Sequence, residues 1–143
     1  MILDNLALLA DALENTLSVA STNTIDTLAA GDAYVGAWFV ARVDTDFTAG
    51  AGAPTATFQL QTSASETFAG GAETLITSSA YVADSLTAGK IFVGRIPPGA
   101  LRYLRGYKVV DSGASNKRFS AGKFDMYIVK DIDLDLNKRY LLN

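Results

Sequence analysis

Residues 55–63 read TATFQLQTS, and the fold turns on them. Ala56, Phe58 and Leu60 point to one side of an extended chain, while Thr57, Gln59 and Gln61 point to the other. Alternation of this kind marks a strand with one buried face and one face that is wet or turned towards a partner. The run is entered through AGAGAP, residues 49–54, whose glycines and proline read as a flexible loop.

Working outward, strand signals recur. YVGAWFVARV (34–43) carries Val35, Trp38, Phe39, Val40 and Val43, the pattern of a strand buried on both faces. VDTDF then reads as the start of the loop that ends in AGAGAP. ETLITSSAYV (73–82) is a looser strand pattern and KIFVGRI (90–96) a tighter one. PPG at 97–99 forces a turn, because two prolines fix φ and lack donors. ALRYLRGYKVV (100–110) returns as a strand, with Tyr103, Tyr107 and Val109 on one face and Leu104 and Val110 on the other, among Arg102 and Lys108. DSGASN is a turn cluster, and FDMYIVKDI (124–132) is the last strand. With the β-branched stretch at 17–26, roughly eight short strands separated by turns predict an all-β single-domain sandwich or jelly roll.

The first 17 residues admit two readings. Leu3, Leu6, Leu13 and Leu17 recur near helical spacing, but the run leads into VASTNTID, which favours extended backbone. An arm that orders against a partner fits equally well.

The chain has 143 residues, enough to bury about two thirds of its unfolded surface. It holds no cysteine and no histidine. That removes disulfides, thiolate nucleophiles, Ser-His-Asp triads and ordinary zinc sites. No apolar run is long enough to span a membrane as a helix, and the acidic N-terminus does not read as a secretion signal. Residues 1–84 carry one basic residue, Arg42, against ten acids. Residues 90–123 carry eight basic residues against one acid, Asp111. Such a split can steer a partner or a second copy, or it can vanish when the strands interleave.

Motif-like stretches point away from catalysis. DIDLDLN (131–137) spaces Asp131, Asp133 and Asp135 like a calcium loop, but Leu136 stands where the loop needs glycine and Leu142 where it needs a carboxylate. The glycines of GAGAP and FAGGAE do not form a phosphate-binding loop. RYLRGYK interleaves charge and aromatic rings as single-strand binders do, against an acidic whole-chain balance. The reading is no enzyme, no cofactor, no metal, no nucleic acid and no membrane.

The order of several short stretches does resemble a family. MILD opens the chain, followed by STNTID (21–26), FTAGAGAPTATFQLQTS (47–63), LTAG (86–89), KIFVGRIPPG (90–99), RYLRGYKVV (102–110) and SAGKFDMYIVKD (120–131). Together they resemble the jelly-roll capsid cement, or decoration, proteins of Bordetella-type phages. The resemblance implies a non-enzymatic sandwich on the outer surface of the virion capsid, bound to the major capsid protein at contacts between capsomers. It implies self-association as a homodimer, with a trimer as the alternative. It favours an extended arm over a helix at the N-terminus, and so divides the chain into an arm (1–16), a β-sandwich domain (17–132) and a tail (133–143). The expected partner contacts are Ile2, Leu3 and Leu6 on the arm, Arg102 and Arg105 in the basic block, and Tyr140, Leu141 and Leu142 on the tail. The extension LDLNKRYLLN and the loop FAGGAE depart from the family pattern. The competing expectation is a carbohydrate-binding jelly roll of a virion or tail structure, with Tyr34, Trp38 and Tyr103 stacking on sugars.

Overall fold

The computed structural model describes residues 7–14, 16–31, 33–111, 116–132 and 142. Among them are ten strands: β1 (Leu8–Glu14), β2 (Val19–Ala20), β3 (Ile25–Asp26), β4 (Trp38–Ala49), β5 (Thr55–Ser63), β6 (Glu73–Thr77), β7 (Tyr81–Val82), β8 (Ile91–Arg95), β9 (Tyr103–Val110) and β10 (Phe119–Val129). One antiparallel sheet has the order β1-β10-β4-β8. The other has the order β2-β9-β5-β6, with β3 also on β9 and β7 also on β5.

Four of the ten are halves of two broken strands. Val19 of β2 opposes Lys108, Ile25 of β3 opposes Leu104, and between them the Ser21 amide donates to the Gly106 carbonyl at 2.8 Å. β6 and β7 share β5 in the same way, Thr77 opposing Gln59 and Tyr81 opposing Ala56. With each broken strand counted once, the first strand pairs with the last, the second with the next to last, and so inward to β5 and β6. A long hairpin has been rolled into two sheets, which is the jelly-roll connectivity. The all-β expectation holds.

The alternation read from TATFQLQTS is what fills the space between the sheets. Ala56, Phe58 and Leu60 face inward, fully buried, with Leu104 and Val110 from β9 beside them. Phe39, Ala41, Val43 and Phe47 of β4 and Phe124, Met126 and Ile128 of β10 come from the facing sheet. Phe58 reaches across to Phe124 with ring centroids 5.8 Å apart, and Phe47 meets Phe119 edge-on at 5.0 Å. Gly106 is glycine because a Cβ there would collide with the Met126 sulfur.

β4 is buried on both faces, as its sequence reads. Its outward residue Val40 joins Ile91, Tyr127 and Val129 in a second apolar cluster on the outer side of the first sheet, edged by Leu8, Trp38, Val93 and Ile132. Several boundaries differ from the sequence reading. VDTDF is strand, not loop: β4 runs on to Ala49, with Thr45 opposite Lys123 and Ala49 opposite Phe119. Its aspartates look like loop residues, but they sit at outward positions while Val43 and Phe47 hold the core. Tyr34–Ala37 forms the turn before β4 rather than its first residues.

Residues 8–14 are neither helical nor apart from the sheet. They are β1, paired with β10 and bulged between Ala10 and Leu13. The bulge places Ala12 at φ +44°, and its amide donates to Asp125 Oδ1 at 2.7 Å. The AGAGAP loop is packed rather than loose. Gly50 and Arg118 bond each other's loops at 3.0 and 3.1 Å, and a Cβ on Gly52 would meet Lys117 Cγ at 2.7 Å. A Cβ on Gly50 would meet the Arg118 carbonyl oxygen at 2.6 Å, so close approach of two backbones is the reason for glycine at that position.

Lys108 departs furthest from expectation. It stands on the inward face of β9, wholly buried (0 %), with its ammonium 5.3–5.8 Å from the ring centres of Phe47, Phe119 and Phe124. Burial in this apolar layer lowers its pKa to about 8.

Candidate partner-binding surface

Strand register determines which loops meet. Asp26, Tyr103 and Ser63 lie side by side across β3, β9 and β5. Trp38, Arg95 and Val129 mark the same end of the other sheet. Loops 27–37, 64–72 and 96–102 therefore all leave one end of the sandwich. Backbone bonds tie the first to the last: Thr27 N–H to the Arg102 carbonyl (2.9 Å), Gly31 to Ala100 (3.1 Å) and Gly36 to Ile96 (3.2 Å).

Both arginines named from the sequence belong to this end. Arg102 forks onto Asp26, Nε to Oδ1 at 2.8 Å and Nη2 to Oδ2 at 2.9 Å, and covers the Tyr103 ring at 5.0 Å. The Arg102 hydrogen bond, with the Leu28 amide second, holds the Asp26 carboxyl down at about 2. Arg105 lies on the outer face of β9. Its Nε donates to Gln61 Oε1 at 2.9 Å, and Gln61 in turn donates to Gln59 at 3.0 Å. The guanidinium sits 4.1 Å from the Phe68 ring centre and 5.2 Å from that of Tyr107. Loop 64–72 thus folds back over the sheet and presses Phe68 onto Arg105. This is why Gln61, outward in the alternation, is nevertheless buried. A cavity of about 360 Å³ lies between this loop and Leu101, lined by small residues and Glu73.

Loop 27–37 presents apolar side chains to solvent. Leu28 is 79 % exposed and Val35 is 46 % exposed, and Ala29, Ala30, Gly31 and Ala33 are exposed as well. Leu28 adopts φ +70°, a left-handed conformation that costs a side-chain-bearing residue roughly 1–2 kcal/mol. Surrounding bonds hold it there. Asp26 Oδ1 accepts from the Leu28 amide at 2.8 Å, and the Thr27 hydroxyl reaches the Ala29 carbonyl at 2.9 Å and the Arg102 carbonyl at 2.8 Å.

Of the expected contact residues, Arg102 and Arg105 come together here, although both are already engaged within the chain. Leu142 is engaged within the chain too: it packs against the main core, and its amide donates to the Ile91 carbonyl on β8 at 2.7 Å. Ile2, Leu3, Leu6, Tyr140 and Leu141 lie outside the described residues, as does the acidic run beyond Ile132. The basic block does not form one patch. Lys108 is in the core, Lys117 pairs with Asp111 at 2.7 Å, and Arg102 pairs with Asp26. The interleaving of strands, left open by the sequence, mixes the charges.

The three rings offered for sugar stacking do not share a surface. Trp38 edges the outer cluster of the first sheet, Tyr34 packs against the main core, and Tyr103 lies on the second sheet beneath Arg102. The exposed Leu28 was missed by strand reading. Its signal is LAAG, a small apolar run between two strands with no alternation to bury it.

A search of curated proteins finds no match for this chain. The model of the Bbp16 family matches residues 9–128, from the first strand to the end of the last. A match over this span decides the family: the chain belongs to the Bbp16 family, a Bordetella phage protein family.

Proposed function

We propose that this protein is a non-enzymatic capsid cement protein, bound to the outer surface of a phage shell and stabilising contacts between major capsid protein subunits. The observation that carries the reading is membership of a Bordetella phage family over almost the whole sandwich. The fold suits the task. A cement protein needs a body that does not deform and a surface already in place when the shell arrives. Here the jelly roll provides the body, and the bonded loops at one end provide an ordered surface, which lowers the entropy cost of attachment.

Association into a homodimer would let each unit span two capsomers, so that the second contact forms at high effective concentration. The test is co-sedimentation of the purified protein with shells that lack it. Saturable binding at a fixed ratio to the capsid protein supports the proposal. Absence of binding to intact shells of the corresponding phage overturns it.

A further inference from the structure

We propose that the apolar face on the outer side of the first sheet is a docking site for the chain's own C-terminal segment, residues 133–141. The inference goes beyond the cement reading and is tested without a shell, so either can fail alone.

The face is dry where the outer side of an antiparallel sheet is usually wet. Val40, Ile91, Tyr127 and Val129 point away from the space between the sheets, yet Val40 is 0 % exposed and Tyr127 only 4 %. Leu8, Trp38 and Val93, which pack with them, stand beside them on the same sheet rather than above. Among the described apolar residues, Ile132 alone joins this cluster from outside a strand. One isoleucine is too small to keep water from side chains spread over three strands. Burial also raises the Tyr127 phenol above its ordinary value, as the removal of water from this face demands.

Where the chain leaves the face and returns to it identifies the cover. Ile132 lies just beyond Val129, which opposes Trp38, which opposes Arg95. Leu142 is fixed at the other end of β8: its amide donates to the carbonyl of Ile91, a member of the cluster, and Ile91 opposes Arg42. Along β8 the step from Arg95 to Ile91 is about 13 Å. Residues 133–141 reach about 30 Å when extended, so they have the length to lie over the face. The other apolar terminus, residues 1–6, enters the sheet before β1, at the far edge from β8.

The sequence of the segment suits the place. Leu134 and Leu136 alternate with Asp133, Asp135 and Asn137, so an extended course sets both leucines on one side and the polar groups on the other. The charges match as well. Asp133 and Asp135 follow Ile132 at the Arg95 end, and Lys138 and Arg139 precede Leu142 at the end where Asp44 and Asp125 stand by Arg42. A face closed in this way is not offered to the shell, and the tail serves the fold rather than the capsid contact.

The chain has no cysteine, so Asn137→Cys provides a single site for a nitroxide label, on the side of the segment turned away from the face. The expected result by NMR is loss of the Val40, Val93 and Val129 methyl signals through paramagnetic broadening. The signals of Val109, on the outer face of the second sheet, should remain. Each leucine withdrawn from an apolar contact weakens docking about ten-fold or more. Leu134→Ser with Leu136→Ser in the labelled chain should therefore restore the lost signals. The same pair in the unlabelled chain should shift the emission of Trp38, the only tryptophan, to the red. Val40 and Val129 signals that survive the label overturn the inference, as do losses and an emission that are unchanged when the leucines are removed. If a label at Asn5→Cys removes those signals and the label at 137 does not, the cover is the N-terminal segment and the inference fails. Losses that arise only between labelled and unlabelled copies in a mixture would assign the cover to a second chain and overturn it too.

Discussion

A lysine placed among three phenylalanine rings gives this fold a measurable response to pH. Folding lowers the pKa of Lys108 from 10.5 to about 8, through loss of hydration in the core. Between those two values the unfolded chain binds a proton that the folded chain does not. Stability therefore rises with pH across that window. The contribution is fully present above about 10.5 and is lost as pH falls through about 8. The size follows from the shift: about 3 kcal/mol, at 1.36 kcal/mol per pH unit. Lys108→Met keeps a long side chain in the slot and removes the titration. Urea unfolding of parent and variant, each at pH 7 and at pH 11, gives two stability differences. The parent should gain about 3 kcal/mol relative to the variant between those conditions. Subtraction removes the other lysines and the tyrosines, which titrate in both proteins. A gap that does not change with pH would show that Lys108 keeps an ordinary pKa in the fold, and would refute the reasoning.

Two further outcomes follow from single contacts. Gly106→Ala puts a methyl group into the Met126 sulfur and should cost about 1–3 kcal/mol in urea unfolding; recovery in Gly106→Ala combined with Met126→Ala would tie the loss to that collision, and no recovery would untie it. Arg102→Ala removes the fork on Asp26 but leaves the Leu28 amide bond, so by NMR the Asp26 carboxyl should titrate above its value of about 2, moving towards 3.8. The same variant should speed hydrogen exchange at the Leu28 amide, and an unchanged titration would mean that the fork does not persist in solution.

The sequence shows the strands best where one face is apolar and the other is not. Ala56, Phe58 and Leu60 define β5 because a slip by one residue would bring Thr57 and Gln59 into the core. PPG marks the turn before β9, because proline cannot donate to a ladder. Where tertiary context overrides local chemistry, the reading fails. Asp44 and Asp46 look like loop residues, yet they ride on a strand whose other face is Val43 and Phe47. Lys108 looks like a surface residue until Phe58 is paired opposite it and three rings close around it. The candidate surface was half legible. Arg102 and Arg105 were found because charge is visible in a sequence, but their partners Asp26 and Gln61 are 76 and 44 residues away. The exposure of Leu28 was invisible, since it follows from a backbone angle and from what the folded turn leaves uncovered.

The most direct test of the central claim is mechanical. Shells filled with DNA, bare or decorated to saturation, are heated side by side, and DNA release is followed with a dye. A cement protein should move the release midpoint of decorated shells upward by several degrees. Decorated and bare shells that open at the same temperature, at confirmed full occupancy, would contradict the account.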